Sequence, residues 1–159
     1  LDEHIHIESC YSDITADLET ADDWEASFAN INRATSTAEN MVLLAQSQLG
    51  CKESEINFQV SLDGIRRGIT RYGQWYGNPY GDWSAMFAAF CLHYADVPQD
   101  AIPWSPGVYN MMRLAQDAQI FLQPDENVGC SGKNVCGIDG YFPCLFPAVC
   151  AVGNDDVWR

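Results

Sequence analysis

The ten residues Ala85–Tyr94, AMFAAFCLHY, are apolar at nearly every position. Folded as a helix, such a run has no face for solvent and must be covered on all sides. The chain therefore has to wrap its other elements around this helix. Immediately upstream stands RYGQWYGNPYGDW (Arg71–Trp83), which reads as a glycine-rich loop carrying Tyr72, Trp75, Tyr76, Tyr80 and Trp83. Aromatic side chains on such a loop either line a groove or plug a neighbouring core. The loop delivers Ser84 to the first turn of the central helix. On the residues alone, DWS before an apolar helix is an N-cap, with Asp82 or Ser84 accepting a backbone N–H. A serine nucleophile needs a base and an oxyanion hole, and the GxSxG elbow is absent here.

Upstream, Trp24, Phe28 and Ile31 recur at helical spacing and predict a short helix lying on the domain. Ser36 and Glu39 form a capping-box pattern for a helix over 37–49, with Met41, Val42, Leu44, Ala45 and Leu49 inward and Gly50 as the stop. Residues 51–70 read as a loop with one helical turn, broken by Asp63-Gly64 and Gly68, with Arg66, Arg67 and Arg71 paired to carboxylates rather than clamping a substrate carboxylate. His93, late in the apolar helix, reads as a hydrogen-bonded core residue. Ser105-Pro106 opens a further helix with Val108, Met111, Met112 and Ala115 on one stripe, ending near Ala118. Ile120, Phe121 and Leu122 read as the start of a strand.

Two flanking regions differ in character. Residues 1–34 are an acidic lead-in with nine carboxylates before the first base, Arg33, and read as a solvated linker. His4, His6 and Cys10 in it form an HxHxxxC pattern, a three-ligand metal candidate with no fourth ligand. Residues 125–159 hold four of the seven cysteines, separated by five, seven and five residues. No CxxC pair is present, so the tail reads either as disulfide-bonded, in an oxidising compartment, or as disordered, rather than as a zinc site. Cys91, inside the apolar helix, reads as a free thiol.

The net charge of −14 argues against a nucleic-acid partner, which needs clustered cations. No apolar run reaches the ~20 residues of a membrane span. A chain opening on Leu1 with no basic-then-apolar leader reads as part of something longer, with any secretion signal outside it.

The block RYGQWYGNPYGDWSAMFAAFCLHYADV resembles the corresponding block of the CHAP family, cysteine- and histidine-dependent amidohydrolases and peptidases of Firmicutes surface proteins related to NlpC-type peptidases. The similarity runs from about Ala38 to Phe121. The N-terminal HIHIESCY similarly resembles repeats in the stalks of clostridial-type surface proteins. The resemblance implies an α+β, papain-like fold, represented mainly by its helical N-terminal part over residues 35–124, with an incomplete or missing antiparallel sheet. It implies a peptidoglycan amidase or endopeptidase unit of a larger, extracellular, multidomain surface protein, working on wall peptide without a cofactor. The family's nucleophilic Cys falls on Ser84, its oxyanion Tyr on Tyr72, and a supporting polar position on Asp82.

Two departures are severe. Serine replaces the thiol, and no histidine follows His93, where the family expects one in a later strand. The similarity also stops where the cysteine-rich tail begins, as a shifted reading frame would make it. The expectation is a degenerate or truncated unit without turnover. The alternatives are a non-catalytic module holding peptidoglycan or glycan on Trp75, Tyr76, Tyr80, Trp83 and Trp104, or a disulfide-stapled extracellular interaction domain.

Overall fold

The computed structural model describes residues 8–120. Within them the chain is α+β, with five α-helices and one two-stranded antiparallel sheet. A 3-10 turn (Glu8–Tyr11) leads to α1 (Ala21–Ala26) and α2 (Thr37–Ser47). The hairpin β1 (Phe58–Val60) and β2 (Arg66–Gly68) follows, then α3 (Arg71–Tyr76), α4 (Ser84–Tyr94) and α5 (Val108–Asp117).

The apolar run forms α4, with Met86, Ala89, Phe90, Cys91 and Leu92 all at 0% exposure. It packs against α2, α3 and α5. Met41 and Leu44 of α2, Tyr72 of α3 and Met111 of α5 complete the core. Each large side chain so buried contributes ~1.5–3 kcal/mol. In α2, Ser36 accepts from the Glu39 N–H, and Met41, Leu44 and Ala45 are buried. Val42 is only half-buried and Leu49 is 59% exposed, because the helix ends at Ser47 and turns Leu49 outward. The stripe expected in α5 lies against the core through Met111 and Ala115. That helix starts at Val108, with Gly107 at its N-cap and no side-chain cap; Ser105 instead accepts from the Gly107 N–H at 3.5 Å. Ile120 lies in no element, and Phe121 and Leu122 fall outside the described residues.

Two stretches expected as loop are regular. Residues 58–68 form the hairpin, with Phe58 opposite Gly68, Gln59 opposite Arg67 and Val60 opposite Arg66. Its turn is held by Ser61, whose N–H and hydroxyl both donate to the Ile65 carbonyl at 3.0 and 2.8 Å, and by Gly64 at φ +79°. Residues 71–76 form α3, capped by the Thr70 hydroxyl, which accepts from the Gly73 N–H at 3.0 Å. Gly77 ends it in the left-handed conformation, φ +85°, which a glycine adopts without strain. Gly73 is tolerated inside the helix for a packing reason. A Cβ there would stand 2.7 Å from the carbonyl oxygens of both Asn78 and Pro79.

The described part of the acidic lead-in departs from the solvated linker expected for it. Asp13 N–H donates to the Ile56 carbonyl at 2.9 Å, and the Ser12 hydroxyl both donates to the Phe58 carbonyl and accepts from its N–H. Glu19 forms a two-pronged pair with Arg71 at 2.6 and 2.7 Å, and Arg71 is mostly buried there. Trp24 donates to the Tyr94 hydroxyl at 2.8 Å, while Phe28 packs on Phe90 and Tyr94. Trp24, Phe28 and Ile31 do lie on the core as their spacing predicts, although α1 itself ends at Ala26. A reciprocal box caps it: Thr20 accepts from the Asp23 N–H, and the Asp23 carboxylate accepts from the Thr20 N–H.

Asn57 ties these parts together at 0% exposure. Its Nδ2 donates to the carbonyls of Ile14 and Ala16 at 3.1 and 2.8 Å, and its Oδ1 accepts from the Tyr80 hydroxyl at 2.7 Å. Asn57→Ala strands these partners in a buried setting and should cost about 2–4 kcal/mol, read as a lowered urea midpoint. Acid should act on the same segment. Hydrogen bonds from Thr15, Thr20 and Ser61 hold the carboxyls of Asp13, Asp23 and Asp63 below the ordinary aspartate range. The stability they add is present above the unfolded-state pKa of about 3.9 and is lost as pH falls through the lower folded values. The urea midpoint should therefore drop between about pH 4 and pH 2, and a flat profile there would contradict it.

Candidate functional site

Ser84 is the first residue of α4, half-buried, at the junction of the aromatic segment and the central helix. It is not the cap expected of it. Trp83 holds the N-cap position in helical conformation, with no side-chain cap bond. Among the described residues the Ser84 hydroxyl makes no hydrogen bond. The first N–H groups of α4 lack intrahelical acceptors, so the position lies in the positive field of a helix start. A thiol there would be shifted toward thiolate; a hydroxyl, far less acidic, gains little nucleophilicity from the same field.

The structure does not bring the expected partners to Ser84. Asp82 is exposed and points to the hairpin, accepting from Arg67 Nε at 3.3 Å. Tyr72 is buried, its ring stacked on Trp83 at 5.4 Å and edge-on to Phe87 and Phe90. Burial raises the pKa of the Tyr72 hydroxyl above the ordinary tyrosine value. No hydrogen bond joins it to Ser84. His93 is the histidine of the described residues, and it is exposed rather than a core residue. Its ring leans on Trp75 at 5.3 Å and meets Trp104 edge-on at 6.4 Å. Nine helical residues put it about 13 Å along the axis from Ser84, out of proton-transfer reach.

The five aromatics expected to line one groove fall into separate places. Trp83 sits at the start of α4, where its Nε1 donates to Glu53 at 2.8 Å. Trp75, Tyr76 and Trp104 gather with His93 near the other end of α4. Tyr80 turns toward the hairpin, anchored through its hydroxyl to Asn57.

That turn of Tyr80 closes a cleft of about 350 Å³, lined by Gln59, Ser61, Arg67, Asn78, Tyr80, Gly81 and Asp82. Gln59 and Ser61 are two residues apart on an extended segment and share a face, and Arg67 is the cross-strand partner of Gln59. Arg67 spans the cleft, donating to Ser61 at 2.7 Å on one wall and to Asp82 on the other. Gln59, Ser61 and Asn78 were not legible as site residues. The signal for the first two was the Asp63-Gly64 turn, which folds the flanking residues into a hairpin.

Among the described residues no group of His, Cys, Asp and Glu is arranged to hold a metal ion. His4 and His6 lie outside them, and Cys10 is exposed. Among the described residues Cys10, Cys51 and Cys91 form no disulfide with one another. The four tail cysteines lie outside the described residues. Burial pushes the Cys91 thiol up to about 12. No helix among the described residues is long and apolar enough to cross a membrane.

Compared with known proteins, the chain matches no family model, no curated protein and no solved structure.

Ser84→Cys should convert the site's field into measurable reactivity. In the folded variant, iodoacetamide should label residue 84 and leave Cys91 untouched, since that thiol is fully buried and protonated. Labelling at residue 84 no faster than for a free thiol at neutral pH would show that the helix start exerts no such field.

Proposed function

We propose that this chain is a degenerate CHAP-type unit of a bacterial surface protein, papain-like in descent, extracellular, and associated with peptidoglycan without cleaving it. The observation that carries the reading is Ser84. A small hydroxyl stands unengaged at the first turn of the fully buried central helix, where the family resemblance expects a thiol, and no imidazole lies within reach among the described residues. In intact members of that family, a thiolate attacks an amide carbonyl and an imidazole protonates the leaving amine. Here the nucleophile is too weak and the proton donor is missing, so the position retains its placement and loses its chemistry.

A binding role receives separate support from the polar cleft beside Asp82, which holds polar groups that the fold does not use. Arg71, by contrast, is committed to Glu19 and to Gln48, at 2.9 Å from the latter's Oε1, and offers no clamp for a ligand carboxylate. The disulfide-stapled alternative depends on the tail cysteines, since the three described cysteines form no bridge with one another.

The test pairs turnover with retention on purified, insoluble peptidoglycan. The native chain should sediment with the wall material and release no new amino groups. Ser84→Cys should sediment equally and stay silent, because a thiolate without a proton donor cannot expel the amine. Hydrolysis by the native chain would overturn the degenerate reading, and failure to sediment would overturn the wall reading.

A further inference from the structure

We infer that the cleft between the hairpin and the Asn78–Asp82 turn is a saccharide-binding site, taking an uncharged amino-sugar ring of a glycan chain. The choice of an amino sugar rests on the wall reading above; the saccharide chemistry rests on the cleft itself. Gln59 and Asn78 both line this cleft, and their side-chain amides make no hydrogen bond among the described residues. Arg67 uses Nε and one terminal nitrogen on Asp82 and Ser61, which leaves its second terminal nitrogen without a partner there. Asp82 uses one carboxylate oxygen on Arg67, which leaves the other. The cleft thus presents planar groups that both donate and accept, the arrangement that vicinal hydroxyls and an acetamido group pair with two bonds at a time. Tyr80 adds a half-buried ring whose hydroxyl is held by Asn57, so the face is fixed before any ligand arrives.

Charge decides between a sugar and an anion. Arg67 is already offset by Asp82 at 3.3 Å and Asp63 at 3.9 Å, within a chain of net charge −14. A carboxylate or phosphate entering here would have to displace Asp82 against that field, whereas a neutral ring would not. The volume, about 350 Å³, lies at the small end of ligand clefts, roughly 300–1,000 Å³, and suits a ring or two rather than a long peptide.

Gly81 supplies an internal control. A Cβ at this position would stand 2.1 Å from Asn78 Nδ2 and 2.6 Å from its Cγ. Gly81→Ala therefore moves the Asn78 amide out of place without deleting it. The Asn78 side chain makes no bond to the fold, so Asn78→Ala and Gly81→Ala should both leave thermal unfolding near that of the native chain.

The experiment titrates the whole chain with a tetramer of β-1,4-linked N-acetylglucosamine, followed by amide NMR, alongside a free wall stem peptide and the sedimentation assay. Shifts at the side-chain amides of Gln59 and Asn78 and at Arg67 are expected, with Asn78→Ala and Gly81→Ala each weakening affinity about 3–10-fold, the value of one to two hydrogen bonds. Sedimentation with peptidoglycan, but no shift from the tetramer, would overturn the cleft and leave the wall reading standing. Tetramer binding to the cleft without sedimentation would uphold the cleft and remove the wall reading. Shifts at the cleft from the stem peptide alone would overturn the saccharide assignment, as would variants that bind the tetramer as tightly as the native chain.

Discussion

The fold depends on one fully buried amide. Asn57 has both side-chain functions and both backbone groups satisfied: its N–H donates to the Ser54 hydroxyl at 2.8 Å, and its carbonyl accepts from the Ile69 N–H at 2.9 Å. Through these bonds it joins the N-terminal segment, the hairpin and the Tyr80 turn. Burying an amide is tolerated only when its hydrogen bonds are made. The same requirement therefore specifies the relative placement of all three pieces. The cleft inherits that placement, since its walls are the hairpin on one side and the Tyr80 turn on the other.

Around α4 the logic is apolar. Phe90 meets Phe28, Tyr72, Trp75 and Tyr94, so a single ring is the meeting point of three separate chain segments. Glu53 adds a polar tie between the two regions, accepting from the Gly68 N–H and from Trp83 Nε1. Ser84 stands where the apolar body and the polar hairpin region meet.

The elements legible in the sequence were those whose residues state both a boundary and a buried face. The run at Ala85–Tyr94 has no polar side, Ser36 marks the start of α2, and Met111 with Ala115 marks the stripe of α5. The hairpin was hidden because its strands are three residues each and its second strand, Arg66–Gly68, is polar. α3 was hidden because Gly73 and Gly77 suggest a loop, whereas one is demanded by the close approach of residues 78 and 79 and the other is a helix stop. The lead-in was misjudged because its carboxylates were counted as solvated charge, while Glu19 answers Arg71 and Asp23 answers its own helix start. The place of Ser84 at the start of α4 was legible from the apolar run that follows it. The cleft was not, since it depends on a cross-strand register that no local pattern announces.

The embedding of the lead-in bears on how this protein can be dissected. A fragment beginning at residue 35, the boundary its composition suggests, would lose Ser12 and Asp13 from beside β1, Glu19 from Arg71, and the Trp24 and Phe28 rings from α4. It would expose Phe90 and Tyr94 and leave the Asn57 amide facing water through the gap. The smallest piece that keeps its architecture therefore starts upstream of Ser12, and an acidic stretch that looks disposable in the sequence is a structural wall of the domain.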